Sequence, residues 1–222
     1  METNETPAAV TRGRILVEAE TLFAEKGYDA VSIREITGAA ECNLAAVNYH
    51  FGTKQNLYLE VFRECWVPRA RRIHQAFYQA LGEQEAPTRE SVIEALARAF
   101  LEGPLSQEER ARHHQLVARE MAKPTEAFDL LVREMMVPFI TEVAGLLREA
   151  DPVRPLEEED LLLAILSLLA SVLFFNFART AVTRITGRSY DQAFRSRLIR
   201  HITRHAMGGM RAEKQAGERS VP

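Results

Sequence analysis

Two cysteines, Cys42 and Cys65, are too few for a disulfide framework, and their scarcity points to a reducing compartment. There is no Gly-rich phosphate loop, no nucleophile motif and no cluster of metal-ligating side chains. No catalytic activity, cofactor or metal is therefore expected. His201 and His205 have the i, i+4 spacing of a metal pair, but no third ligand is evident and the surrounding arginines oppose a cation. Polar/apolar alternation and Asn-Gly or Asp-Gly hairpin signals are missing, which argues against strands. The first ten residues lack the apolar core of a signal peptide, so a cytoplasmic location is expected. A basic excess is also missing. The net charge is −3, from 28 Lys and Arg against 31 Asp and Glu. Within residues 1–66 six bases (Arg12, Arg14, Lys26, Arg34, Lys54 and Arg63) stand against ten acids. A chain that grips nucleic acid should show a basic footprint, so any such role needs the bases to be local.

What is there centres on Ser32 to Lys54. Ser32 and Glu35 form an S-x-x-E capping box that opens a short helix. Ile33, Ile36, Ala39 and Ala40 make its buried face. Glu41-Cys42-Asn43 is a polar break, and Asn43 is a good N-cap for a second helix, Leu44 to His50. The spacing of Leu44, Val47 and Phe51 points them inward. Ala45, Ala46, Asn48, Tyr49 and His50 are left outward, a face suited to close approach to another surface. This is the form of a helix-turn-helix whose second helix enters a DNA major groove. Asn48, the one outward amide, can pair N6 and N7 of adenine, and the Ala45 and Ala46 methyls can meet a thymine methyl. Tyr49 and His50 would fix register on the backbone. Thr53 caps the next helix, which starts at Lys54.

The run N-L-A-A-V-N-Y-H-F-G-T-K-Q-N-L-Y, preceded by A-x-x-L-F-A-E-K-G-Y-D-A-V-S-I-R-E-I, resembles the DNA-binding domain of TetR/AcrR-type transcriptional regulators. The resemblance covers roughly residues 12 to 62. At the turn the family usually carries Gly, as in A-G-V, where this chain has Ala40-Glu41-Cys42. The resemblance implies that Lys54 contacts a phosphate. With the outward face, it marks Arg34, Asn43, Leu44, Ala45, Ala46, Asn48, Tyr49, His50, Thr53 and Lys54 as candidate DNA-binding residues; the need for local bases would put Arg12 and Arg14 near phosphates as well.

The whole chain is expected to be all-α. The amino-terminal three-helix helix-turn-helix domain would be followed by a larger helical ligand-binding and dimerisation domain. Residues 1–10 would be a disordered arm, 11–66 the DNA-binding domain, 67–207 the effector-binding and dimerisation domain, and 208–222 a flexible tail. Pro68 and Pro138 are candidate kinks. Ser106 and Glu109 form a second capping box. Leu161 to Ala178 is the most apolar stretch. As a membrane span it falls short of the ~20 residues needed, and Ser167, Ser171 and Asn176 interrupt it. The alternative is a helix buried on all sides, against its own core and a second subunit. With the last helix it would form a four-helix interface, through Leu168, Val172, Phe194, Leu198 and Ile202, an arrangement the family resemblance also implies.

His113 and Glu120 share a helix face, either to read a ligand or as a satisfied pair. Met121, Phe128, Met135, Met136 and Phe139 are either plain core or the adaptable lining of an apolar site. The candidate effector pocket is His113, Arg119, Glu120, Phe128, Met135, Phe139, Phe175 and Asn176. The expected partners are a double-stranded DNA operator with an inverted repeat, a second copy of the chain, and a small apolar or amphipathic effector. The expected function is a ligand-responsive regulator, a repressor released by its effector. The rival is a helical dimeric protein-interaction module without DNA binding, consistent with the acidic count.

Overall fold

The computed structural model describes residues 6–82, 86–153 and 156–217. Residues 1–5, within the expected arm, and 218–222, within the expected tail, lie outside the described residues. The described chain is helical and shows no strand. The helices are α1 (Pro7–Lys26), α2 (Ile33–Ala39), α3 (Leu44–Phe51), α4 (Lys54–Val61), α5 (Val67–Leu81), α6 (Arg89–Glu102), α7 (Gln107–Ala122), α8 (Glu126–Leu131), α9 (Val137–Glu149), α10 (Glu158–Phe177), α11 (Arg179–Thr186) and α12 (Gln192–Gly217). They group into two compact units. Unit 1 comprises the chain up to Arg71 plus Leu105–Met135, and unit 2 comprises Arg72–Pro104 plus the chain from Met136.

The helix ends follow from their caps. Ser32 Oγ accepts from the Glu35 amide, and the Glu35 carboxylate accepts from the Ser32 amide. Ser106 and Glu109 repeat the arrangement at α7. Two expected ends move outward. The expected arm is already helical from Pro7, because Thr6 caps α1 and Pro7 stands at the first helical position, where its missing N–H costs nothing. At the other end α12 runs through the expected tail to Gly217. Gly103 follows α6 at a place no side chain could occupy, since a Cβ there would meet the Ala99 carbonyl oxygen at 1.9 Å.

The chain takes one form ahead of both prolines. A π turn, Phe62–Trp66, separates α4 from α5, and another, Val132–Met136, separates α8 from α9. In the first the Val67 amide bonds to the Phe62 carbonyl, five residues back. A proline ring collides with the carbonyl four residues earlier, and the wider turn just before Pro68 and Pro138 gives that carbonyl room while the helix continues.

In unit 1 the core joins Ile15, Ala19, Phe23, Ile36, Val47, Leu57 and Phe62 to Leu116, Val117, Leu130 and Leu131. Thus α7 and α8 share the core of the amino-terminal helices, and the packing does not divide at Trp66 as the sequence suggests. Phe23 is fully buried and meets Tyr58 edge to face, 4.8 Å between ring centroids. Its truncation to alanine would cost about 3–5 kcal/mol. In unit 2, α6 packs on α9, α10 and α12, and Val92, Ile93, Leu96, Val143, Ile165, Val172 and Ile199 are buried there.

Candidate DNA-reading surface

Helix α3 is eight residues long and has little stability of its own. Its neighbours hold it in place. Asn43 Oδ1 accepts from the Ala46 amide at 2.9 Å. Gly52, at φ 72, stops the helix in a conformation that costs glycine little. Thr53 then caps α4, accepting from the Asn56 amide at 3.0 Å. Val47 and Phe51 are buried against the unit 1 core.

The opposite face is open. Tyr49 is 81% exposed. Asn43, Ala45 and Asn48 are exposed, while Ala46 and His50 are half-buried. The His50 ring meets that of Tyr49 edge to face at 5.0 Å. Leu44 corrects the inward reading of the apolar spacing: it is 51% exposed. It stands at the first position of α3, where its side chain reaches back past the helix start and finds no core. It therefore belongs to the outer face. Asn43 and Thr53 have their side-chain oxygens committed as caps.

The turn into α3 shows why the family's glycine matters. Glu41 has φ 48, the one positive value among non-glycine residues described. The Glu41 amide bonds to the Gly38 carbonyl at 3.3 Å and the Cys42 amide to the Thr37 carbonyl at 3.0 Å. These two bonds define a Schellman C-cap, whose left-handed position usually carries Gly. The motif persists here with a glutamate in that place.

The charge problem resolves by pairing. Lys26 bonds to Glu35 at 3.0 Å. The Ser32 amide, with help from Lys26, holds the Glu35 carboxyl down at about 2. Glu20, 2% exposed, is bound by Arg69 and lies 3.3 Å from Arg112. Asp29 pairs with Lys123. Three of these bases lie beyond residue 66, so no count within residues 1–66 could include them. Arg34 and Arg14 are exposed. Arg14 borders a shallow groove with Thr11, Thr37, Glu41, Cys42, Asn43 and Ala46. Lys54 opens α4 with its ammonium 4.4 Å from the centre of the Tyr28 ring. Arg12 departs from its expected place near phosphates, since Glu60 and Glu64 bind its guanidinium.

The eight candidate pocket residues fall into both units. In unit 1, His113 is buried and stacked on Trp66 at 4.6 Å, and its carbonyl accepts from the Trp66 indole. The buried Glu120 carboxylate accepts from the Tyr58 hydroxyl at 2.7 Å and from the Thr125 amide at 2.9 Å. Burial, and then the bond to Glu120, push the Tyr58 hydroxyl far up. Arg119 donates to the carbonyls of Ala24 and Glu25 at the end of α1. Met135 is core and Phe128 half-buried. Arg119 and Glu120 border a cleft of about 650 Å³ with Tyr28, Asp29, Tyr58 and Lys123; His113, Phe128 and Met135 do not. In unit 2, Phe139 stacks on His74 at 3.9 Å and packs near Phe77 and Phe100. Burial lowers the His74 imidazole to about 4, against the pull of Glu142. Asn176 donates to the carbonyls of Val172 and Phe100. The Phe175 carbonyl accepts from Tyr190 at 2.8 Å. The eight residues therefore split between two environments, mostly in structural roles.

The five candidate interface residues also need correction. Leu168, Val172, Phe194, Leu198 and Ile202 are 0–7% exposed within unit 2 itself, so they pack in its core rather than on an open face. The open apolar face of α10 is the other one. There Leu162, Leu163, Leu166, Phe174 and Phe177 are 37–57% exposed. Helix α10 is long and apolar enough to cross a membrane, with a mean hydropathy of 2.1, but one face packs within unit 2.

Two family models match the chain. That of the tetR family of bacterial regulatory proteins covers residues 15–61, the helix-turn-helix. That of the C-terminal domain of the HTH-type transcriptional dual regulator CecR covers residues 89–210. The chain belongs to the TetR family. It is thus a DNA-binding transcriptional regulator, and its relatives are not enzymes. The CecR dual regulator of Shigella flexneri is 24% identical over 216 residues, covering 90% of this chain and 93% of that protein. A TetR-family regulatory protein from Rhodococcus RHA1 superposes with a TM-score of 0.63 at 18% identity, covering 90% of this chain and 97% of the other. The fatty acid degradation regulator FadR of Bacillus halodurans gives 0.60 at 16%, covering 94% and 99%. These two structures share the fold. Family membership decides against the rival module without DNA binding.

Proposed function

We propose that this TetR-family chain is a cytoplasmic repressor that binds an inverted-repeat operator as a homodimer and is released by a small apolar or amphipathic effector. The observation that carries the DNA-reading part is the outer face of α3. Leu44, Ala45, Asn48 and Tyr49 project from a helix held at both ends by caps; Arg14 borders the groove at its start, Lys54 opens the next helix, and Arg34 is exposed on α2. Asn48 reads an adenine edge, and Leu44 with the alanines meets thymine methyls. Tyr49, 81% exposed, and His50 fix register on the backbone. The second copy sits on the open face of α10, and two-fold symmetry makes the site an inverted repeat. The effector acts on unit 2, where the neutral His74 lies in a cluster with Phe77, Phe100 and Phe139 and the Asn176 amide is close by. Its binding must favour the form unable to hold DNA. The decisive test is selection of duplexes from a random pool by the purified chain. Enrichment of an inverted repeat, bound with a steep salt dependence, is expected; enrichment of an asymmetric single half-site would refute the dimeric reading.

A further inference from the structure

Arg12 stands on α1, outside the helix-turn-helix, and both terminal nitrogens of its guanidinium are bonded to carboxylates. One nitrogen donates to Glu64 Oε2 at 2.6 Å; the other donates to Glu60 Oε2 at 3.0 Å and makes a second bond to Glu64. The same guanidinium lies 5.2 Å from the centre of the Phe51 ring. Phe51 is the last residue of α3 and is 5% exposed. Glu60 belongs to α4, and Glu64 belongs to the π turn that follows it. A planar fork suits two carboxylates, and its flat face suits an aromatic ring. One side chain on α1 therefore joins the end of α3 to the helix after it. Lysine could not do this, because a single ammonium has neither the fork nor the face.

We propose that Arg12 is a positioning residue for DNA reading: gripped by Glu60 and Glu64, it seats Phe51 and so fixes the direction in which α3 projects, without touching a phosphate. The inference rests on α3 being the reading helix. It assigns a task to two of the acids that make the amino-terminal segment so poor in net positive charge. It also gives the π turn a use, since that turn presents Glu64 to Arg12. Reading base edges needs close placement of the helix that carries the readers, and such placement comes from supporting contacts of this kind.

The test uses the full chain, a duplex that the wild-type protein selects from a random pool, and poly(dI-dC) as non-specific DNA. The ratio of the two affinities is read between about 50 and 200 mM salt for R12A, E60Q/E64Q and the triple variant. In R12A and in E60Q/E64Q the ratio should fall about tenfold, as loss of one or two charged hydrogen bonds allows. The triple variant should lose no more than either, and the salt slope of R12A should match wild type. A slope flatter by about one unit, with equal losses on both DNAs, would make Arg12 a phosphate ligand and overturn the proposal. So would an unchanged ratio in E60Q/E64Q. Should R12A fail to fold by circular dichroism, R12K replaces it, with the same fall in ratio expected and a wild-type ratio overturning the assignment. Failure of wild type to enrich any sequence would overturn the underlying reading of α3, and would be seen before any variant is made.

Discussion

Glu41 holds a backbone conformation that suits glycine, and replacing it should reveal both a strain and a charge. At φ 48 it occupies the left-handed position of the Schellman cap between α2 and α3. That conformation costs a residue with a Cβ about 1–2 kcal/mol. Glycine avoids the cost but gives back about 0.5–1 kcal/mol in the freedom it has when unfolded. The net expectation for Glu41→Gly is therefore a stabilisation of about 0.5–1 kcal/mol. In a chain of this length that raises the unfolding midpoint by about 1–4 °C. The second effect is electrostatic. Glu41 borders the groove shared by Arg14, Asn43 and Ala46, so its carboxylate opposes an approaching phosphate. Glu41→Ala separates the two, because it removes the charge and keeps the Cβ. Thermal and urea unfolding should place the glycine variant above the alanine variant by about 1 kcal/mol. Both variants should bind non-specific DNA more tightly than wild type, by a similar factor that shrinks as salt rises. A glycine variant no more stable than the alanine variant would refute the strain argument; gains in affinity that ignore salt would refute the charge argument.

Two faces of one helix should respond differently to the same change. Leu166→Asp, on the open face of α10, should leave unit 2 folded and give monomers in sedimentation, whereas Leu168→Asp places a charge in the core and should cost several kcal/mol and unfold the unit; stable, full-affinity dimers from Leu166→Asp would move the second copy elsewhere. His74 should make the fold acid-sensitive. Its imidazole is held at about 4 against an ordinary 6.5, so between those values the unfolded chain takes up a proton that the folded chain refuses. Stability is complete above pH 6.5 and is lost progressively as pH falls toward 4. His74→Phe preserves the stack on Phe139 and should flatten the urea midpoint over that window, while an unaltered pH profile would count against a buried neutral His74.

Local chemistry was legible in the sequence, and long-range choice was not. The caps at Ser32, Asn43, Thr53 and Ser106 stand where short-range spacing puts them, because each bond closes within three residues. That was enough to find the helix-turn-helix and its outer face. The face of α10 was illegible for a physical reason. Leu161 to Ala178 is apolar almost throughout, so periodicity offers no contrast between inside and outside, and Leu168 and Val172 could pass for interface when they are core. Leu44 misled through its place at the helix start, where spacing says nothing about whether a core lies beneath. Pro68 and Pro138 signalled a bend without indicating that each would be absorbed by a five-residue turn. The partners of Glu20 and Asp29, and the Tyr58 hydroxyl that bonds Glu120, lie tens of residues away, and no local pattern connects them.

The pairing of Glu20 limits how freely the DNA-reading head can be moved between proteins. Its carboxylate sits inside unit 1, and both bases that bind it, Arg69 and Arg112, lie beyond the helix-turn-helix in the chain. A cassette cut after Trp66 would keep the buried acid and leave its counter-charges behind, and a solitary buried carboxylate costs several kcal/mol unless it takes a proton. The same cut would remove Leu116, Leu130 and Leu131 from the core beneath α1 and α4. A chimera that grafts this head onto another sensor therefore has to carry α7 and α8 with it. Whatever exchange of heads and sensors has produced regulators of this kind, here the unit of exchange is larger than the motif that names the family.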